Sequence, residues 1–231
     1  MISTRPAACV VLTFALALAP AMVWAQTGHP PGDSPYHDIV PAKTVTLFGG
    51  YMFGTGGTIG VAPHDGTFGG IRFDIRVSSP ISLALSAQYG GMQRNYVDLA
   101  DTAGGFIKGP LAQDVFMAEI GGQFNVTGKK SWHRLAPFVG VTLGIASANT
   151  SSVDHSGFKF GTRFEISPQW GTRIALSNRI ILRAEMRWIF WGVNYGVTYR
   201  IPYPGYPYYV TRTNSEWTSN TALSLGIGFG F

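Results

Sequence analysis

The sequence predicts an all-β fold, an eight-stranded antiparallel up-and-down transmembrane β-barrel. Three observations predict it. Apolar residues recur with a period of two along most of the chain, connections alternate between tight and long, and one face of each strand stays uncharged over the thickness of a bilayer. The composition fits. Charged residues make up 13% and glycine 30 of 231 residues, against about a quarter and ~7% in soluble domains. A disordered chain needs more charge and fewer aromatics, and no A/E/K/L/R-rich stretch is present for a coiled coil. The net charge of +5 is scattered along the chain, which points away from nucleic acid as a partner.

In chain order, the first element is a leader over 1–25. Arg5 supplies a positive start, Ala7 to Ala19 an apolar run, and Val23, Trp24 and Ala25 a small-x-small cleavage signal before Gln26. Pro20 interrupts the run well short of the ~20 residues of a membrane-spanning helix. This is the form of a cleaved signal peptide. The one cysteine, Cys9, lies inside it, so the mature chain is expected to have neither disulfides nor thiolate zinc. A Pro-rich tail follows over 26–42, and the barrel occupies 43–231.

Eight strands are expected at 43–54, 66–78, 81–94, 113–127, 135–148, 157–176, 180–192 and 216–231. Ile71, Phe73, Ile75 and Val77 alternate with Arg72, Asp74 and Arg76; Ile180, Leu182, Ala184, Met186, Trp188 and Phe190 alternate with Arg183, Glu185 and Arg187. The connections at 79–80, 128–134 and 177–179 are short, and those at 55–65, 95–112, 149–156 and 193–215 are long. An apolar face about nine to eleven residues long suits a tilted strand in lipid. Aromatic girdles are expected at both rims: Tyr51, Phe53, Phe68, Tyr89, Phe158, Trp188 and Trp217 at one, Phe124, Trp132, Phe229 and Phe231 at the other, with Trp191 also placed at a strand end.

The leader, the alternating strands and the terminal run Leu223 to Phe231 resemble the small OmpA-like eight-stranded outer-membrane β-barrel proteins. The resemblance covers 43–231, without a peptidoglycan-binding domain. It implies export to the bacterial outer membrane. It also implies that the barrel-assembly machinery reads Leu225, Ile227, Phe229 and Phe231. The partners expected are therefore that machinery during biogenesis, and outer-membrane lipid and lipopolysaccharide afterwards, around a monomer.

The other strand face carries the charges. Arg72, Asp74, Arg76, Glu119, Arg163, Glu165, Arg173, Arg183, Glu185 and Arg187 are expected to point into the lumen beside Gln88 and Gln123. An eight-stranded barrel is just filled by its own side chains, and buried charge is tolerable there only when paired. The expectation is a charge-paired plug; an anion-preferring small pore is the alternative, since arginines outnumber carboxylates.

Signals of catalysis are weak, and no cofactor or metal is expected. His29, His37, His64, His133 and His155 lie in the tail or in connections, without metal spacing. The Gly-rich stretch 54–60 has no helix pattern after it, unlike a dinucleotide loop. The stretch Phe164 to Gly171, with Arg183 to Glu185, is similar in layout to outer-membrane lipid A deacylases. That family places a His-x-Ser pair near the outer end of the seventh strand, whereas Trp188 to Asn194 holds neither residue. The chain is therefore expected to be a non-enzymatic structural or surface-interaction protein, with a lipid A-modifying enzyme as the alternative from another class. The candidate binding loop is the Tyr/Pro-rich connection, with Tyr199, Tyr203, Tyr206, Tyr208 and Tyr209 stiffened by Pro202, Pro204 and Pro207. Tyrosine offers rigid contact area at low entropic cost.

Overall fold

The computed structural model describes residues 34–38, 41–98, 107–149, 154–196, 199 and 214–231. The leader and residues 26–33 of the tail lie outside them. In chain order the strands are β1 (Tyr36–His37), β2 (Lys43–Gly54), β3 (His64–Arg76), β4 (Ile81–Val97), β5 (Ile107–Asn125), β6 (Ser131–Trp132), β7 (Leu135–Ala148), β8 (Gly161–Ala175), β9 (Ile180–Asn194) and β10 (Ser215–Gly230). The eight long ones pair antiparallel in the ring β2-β3-β4-β5-β7-β8-β9-β10. The pairing of β10 with β2 closes it, from Asn220 opposite Gly54 to Gly230 opposite Thr44. The result is a closed barrel with no free sheet edge, which is what a sheet needs to satisfy its backbone in lipid.

The alternation read in the sequence becomes two surfaces. Leu47, Ile71, Leu85, Ile120, Ile145, Leu225 and Ile227 are exposed on the outer wall, Leu225 at 70% and Leu47 at 65%. Between Lys43 at one end and Asp114 towards the other, no outward position carries a charge. Such a band is not viable in water and is the face expected against hydrocarbon. Inward positions hold polar residues or glycine towards the end where the turns are short, and mostly apolar residues towards the other. Glycine is obligatory where neighbouring strands crowd it: a Cβ on Gly144 would sit 2.3 Å from the Ala118 carbonyl oxygen and 3.0 Å from Cγ of Glu119.

Several boundaries and assignments differ from the expectation. Strand β5 begins at Ile107, because pairing with β4 resumes beyond a bulge between Arg94 and Tyr96. Strand β8 begins only at Gly161. Gly157 and Gly161 have φ of 78° and 62°, and this left-handed backbone turns the segment into the barrel mouth. Phe158 is accordingly buried there and is not in the outer girdle. Phe68 and Trp191 are also corrections: their positions on β3 and β9 share parity with Arg72 and Arg187, so they point into the lumen and are buried. The other expected girdle aromatics are exposed. From the tail, Tyr36 and His37 pair with Trp132 and Ser131 beneath the barrel.

Candidate functional site

The lumen is built in two tiers. Short turns and the ends of β2 and β10 mark the lower end, the periplasmic one in outer-membrane barrels; the long connections mark the upper end, the external one in such barrels. In the lower tier Arg72 on β3 donates from Nε to Asp74 Oδ1 at 3.1 Å and from Nη1 to Gln169 Oε1 at 3.3 Å, and pairs with Glu185 at 3.6 Å. On β9, Arg183 bonds Glu185 through Nε at 2.9 Å and through Nη2, and reaches Asp74 at 3.8 Å. Arg187 Nη1 donates to both oxygens of Glu119, at 2.9 and 2.8 Å, and Nη2 donates to Gln88 at 2.6 Å. Ser86 completes Glu119 with a bond of 2.8 Å. Arg173 bonds Gln123 at 2.6 Å, and the guanidiniums of Arg173 and Arg183 lie over the ring of Phe138 at 5.1 and 4.1 Å. These are the contacts that make buried charge tolerable: planar forks on carboxylates, with amides and a ring taking the remainder.

Three of the ten expected lumen residues stand apart from this mesh. Arg76 and Arg163 share the inward parity but lie at the two rims, half-buried. Arg76 donates to the Pro41 carbonyl at 2.7 Å and Arg163 to that of Phe160 at 2.7 Å. A strand carries its inward face beyond the lumen at both ends, so parity alone includes them. Glu165 is fully buried with its carboxyl against that of Glu119, and none of the described donors reaches either of its oxygens.

The upper tier is mostly apolar. Met52, Phe68, Met92, Met117, Ile189 and Trp191 fill it from the strands, all buried. Phe160 stacks edge-on against Trp191 at 5.5 Å, and Phe158 meets Tyr199 at 6.3 Å. The first long connection adds Ile59 and Val61. It is fastened by Glu216, which accepts from the Thr58 amide at 2.7 Å and hydroxyl at 2.6 Å and from the Tyr195 hydroxyl.

A latch holds the Phe158 segment. Arg94 Nη1 pairs with Asp154 Oδ2 at 2.7 Å while Arg94 Nε donates to Gln113 at 2.9 Å. Asp154 Oδ1 accepts from the Ser156 amide at 2.8 Å, and the Ser156 hydroxyl bonds the Tyr199 hydroxyl. Burial alone would raise the Asp154 carboxyl, but the bonds from Ser156 and the Arg94 guanidinium outweigh it and hold the group below its usual range. Burial pushes the Tyr199 hydroxyl up to about 12. Tyr199 is thus a buried part of the mouth and no exposed anchor, because its ring packs on Phe158 and Tyr195. Tyr203, Tyr206, Tyr208 and Tyr209 lie outside the described residues. The inward position of Arg94 follows from its parity with Gln88 and Met92; its partner across a long loop leaves no trace in the sequence pattern.

Leu225, Ile227, Phe229 and Phe231 are exposed on the outward face at the end of the chain. A shallow groove of about 970 Å³ lies on the outer wall among Tyr51, Val139, Trp170, Met186 and Leu223. Its rim is made of outward side chains, so it belongs to the lipid-facing surface. Among the described residues, no group of three or more His, Asp or Glu side chains is placed to hold a metal ion.

No family model matches the chain, and no curated protein matches it in sequence. Solved structures do match. The outer membrane protein OprG from Pseudomonas aeruginosa is 13% identical with a TM-score of 0.50, covering 83% of this chain and 97% of that one. Neisserial surface protein A is 12% identical with a TM-score of 0.49, covering 82% and 97%. The attachment invasion locus protein Ail of Yersinia pestis, solved with a heparin analogue, is 8% identical with a TM-score of 0.37, covering 81% and 96%. At such identities the likeness is one of fold: the match to OprG, with the closed ring of antiparallel strands and the uncharged outer band, shows the fold of a small eight-stranded outer-membrane β-barrel.

Proposed function

We propose that this chain is a non-enzymatic outer-membrane protein whose barrel is a closed scaffold and whose role lies in surface interaction through its external connections. The observation that carries the reading is the filled lumen. Charge pairs occupy the lower tier and apolar side chains the upper, and the cavity among Phe48, Arg72, Arg183 and Glu185 is only about 10 Å³, at the lower limit for one water. A scaffold closed in this way offers its loops as the place for recognition. The Tyr/Pro-rich stretch 203–209 has the composition of a contact surface. Outer-membrane lipid and lipopolysaccharide surround the monomer, and Leu225, Ile227, Phe229 and Phe231 serve as the assembly signal.

Deleting residues 203–209, which spares the buried Tyr199, is expected to leave heat-modifiable gel mobility intact and to lower binding of expressing cells to a host, neighbouring-cell or matrix surface. Unchanged binding overturns the recognition role. Defined single-channel steps in planar bilayers would establish the pore instead, and an altered acyl pattern in lipid A from expressing cells the enzyme. Removing Phe231 should sharply reduce insertion; normal insertion removes the assembly role.

A further inference from the structure

The two rims carry charge differently. At the external end Asp65, Asp98, Asp114, Asp154 and Glu216 are interspersed with Arg94, Lys108, Lys159 and Arg163. At the periplasmic end Lys43, Lys129, Lys130, Arg134 and Arg179 are all exposed. Among the described residues the one acidic side chain there, Asp38, acts on Arg76. The five basic residues follow consecutive strand ends. Lys129 and Lys130 lie in the connection after β5. The Arg134 carbonyl accepts from Ala175 at the foot of β8, that of Arg179 from Gly230 at the foot of β10, and Lys43 exchanges backbone bonds with Phe231. They form an arc from β5 round to β2, whereas the β3–β4 turn, Val77 to Pro80, is uncharged.

Two further features give the arc a direction. Phe124, Trp132, Phe229 and Phe231 are exposed at the same level, and such a girdle marks headgroup depth. The hairpin between β6 and β7 turns on His133 and Arg134, with φ of 46° and 68°. Two successive left-handed residues are ordinarily met by Asn-Gly, so a β-carbon-bearing Arg is strained there. Strain of this kind persists where the side chains are used.

We propose that this arc is a docking surface for anionic phospholipid headgroups of the periplasm-facing leaflet. Lysine ammoniums supply point charge to the phosphates, and Arg134 and Arg179 bind them with planar forks. Lys43, outward on β2, lies alongside the acyl region with its ammonium at the phosphate level. The preference for anionic over zwitterionic lipid should gain about fivefold for each charge brought to the surface.

The probe is Trp132, read as the difference in fluorescence between the full chain and Trp132→Phe in neutral detergent micelles. Brominated phosphatidylglycerol is expected to quench Trp132 at a mole fraction at least tenfold lower than brominated phosphatidylcholine. Molar salt should reduce that difference. The combined Lys129→Gln, Lys130→Gln, Arg134→Gln and Arg179→Gln protein, checked for heat-modifiable mobility, should lose it. Equal quenching by the two lipids overturns the proposal, as does a preference that survives the four substitutions. If that variant does not fold, the salt response of the unaltered chain decides. Displacement of phosphatidylglycerol by an equal concentration of inorganic phosphate also overturns it, showing a phosphate site instead of a lipid surface.

Discussion

The lower and upper tiers of the lumen fill the same narrow tube by opposite chemistry. Below, every filling side chain comes from a strand, and arginines of β3 and β9 knit to carboxylates of β3, β5 and β9. Above, most strand residues are apolar, with Arg94 and its Asp154 pair the charged exception, and loops add Phe158, Phe160, Ile59 and Val61 among the described residues. The difference teaches that one tier is inseparable from the barrel while the other is held by a few tethers. Charge pairs in a dry lumen have no substitute partner, whereas an apolar plug can leave and be replaced by another apolar group.

That contrast is broken most severely from below. Arg187→Met leaves Glu119 buried without its cation and should cost about 3–5 kcal/mol, seen as a lower temperature for the heat-modifiable mobility shift. A loss no larger than that of an exposed substitution would mean the pairs are dispensable. From above, Phe158→Ala should lower the local opening free energy by about 3 kcal/mol. The sign is faster hydrogen exchange over residues 154–160 with the barrel transition unmoved; a matching fall in the barrel transition would join the tiers into one unit.

Smaller effects sharpen the picture. Asp154→Asn should loosen the same segment by about 2 kcal/mol. Because the Asp154 carboxyl is held below its ordinary value of 3.8, its contribution is fully present above that pH and is lost as pH falls through the lower folded value. Proteolysis of residues 154–160 should therefore rise in acid in the unaltered chain and stay pH-independent over that range in the variant. Among the described residues Arg94, Tyr199, His155, Lys159, Arg163, Tyr195 and Glu216 are the other ionisable groups of that mouth. The least effect is expected of Glu165→Gln, under about 1 kcal/mol of loss, since none of the described residues donates to its carboxyl and the change removes an acidic neighbour from Glu119. A drop as large as that of Arg187→Met would put Glu165 inside the paired mesh.

The lower tier was legible in the sequence because strand parity is a local property. Arg72, Asp74, Arg183, Glu185 and Arg187 announce their direction through the apolar residues between them. Closure of β10 on β2 followed from alternation and connection length. The upper tier was not legible. Nothing in the local pattern distinguishes Phe158, folded inward by two left-handed glycines, from Phe164 on the outer wall. Trp191 and Phe68 were misplaced by reading aromatic identity as a membrane signal where parity already pointed inward. Parity in turn says nothing about depth, which is why Arg76 and Arg163 were grouped with the central charges.

The distribution of the charge mesh over strands has a consequence for biogenesis. Arg72 and Asp74 arrive with β3 and Glu119 with β5, but Arg183, Glu185 and Arg187 arrive together on β9, the penultimate strand. A half-built sheet of β2 to β8 holds Glu119 without its arginine, and such a sheet cannot be left in hydrocarbon. Neutralisation of the interior and joining of the seam by β10 therefore fall within the same short interval at the end of assembly. The chain has an all-or-none commitment to the bilayer, and any intermediate before it must be sheltered by water or by another protein.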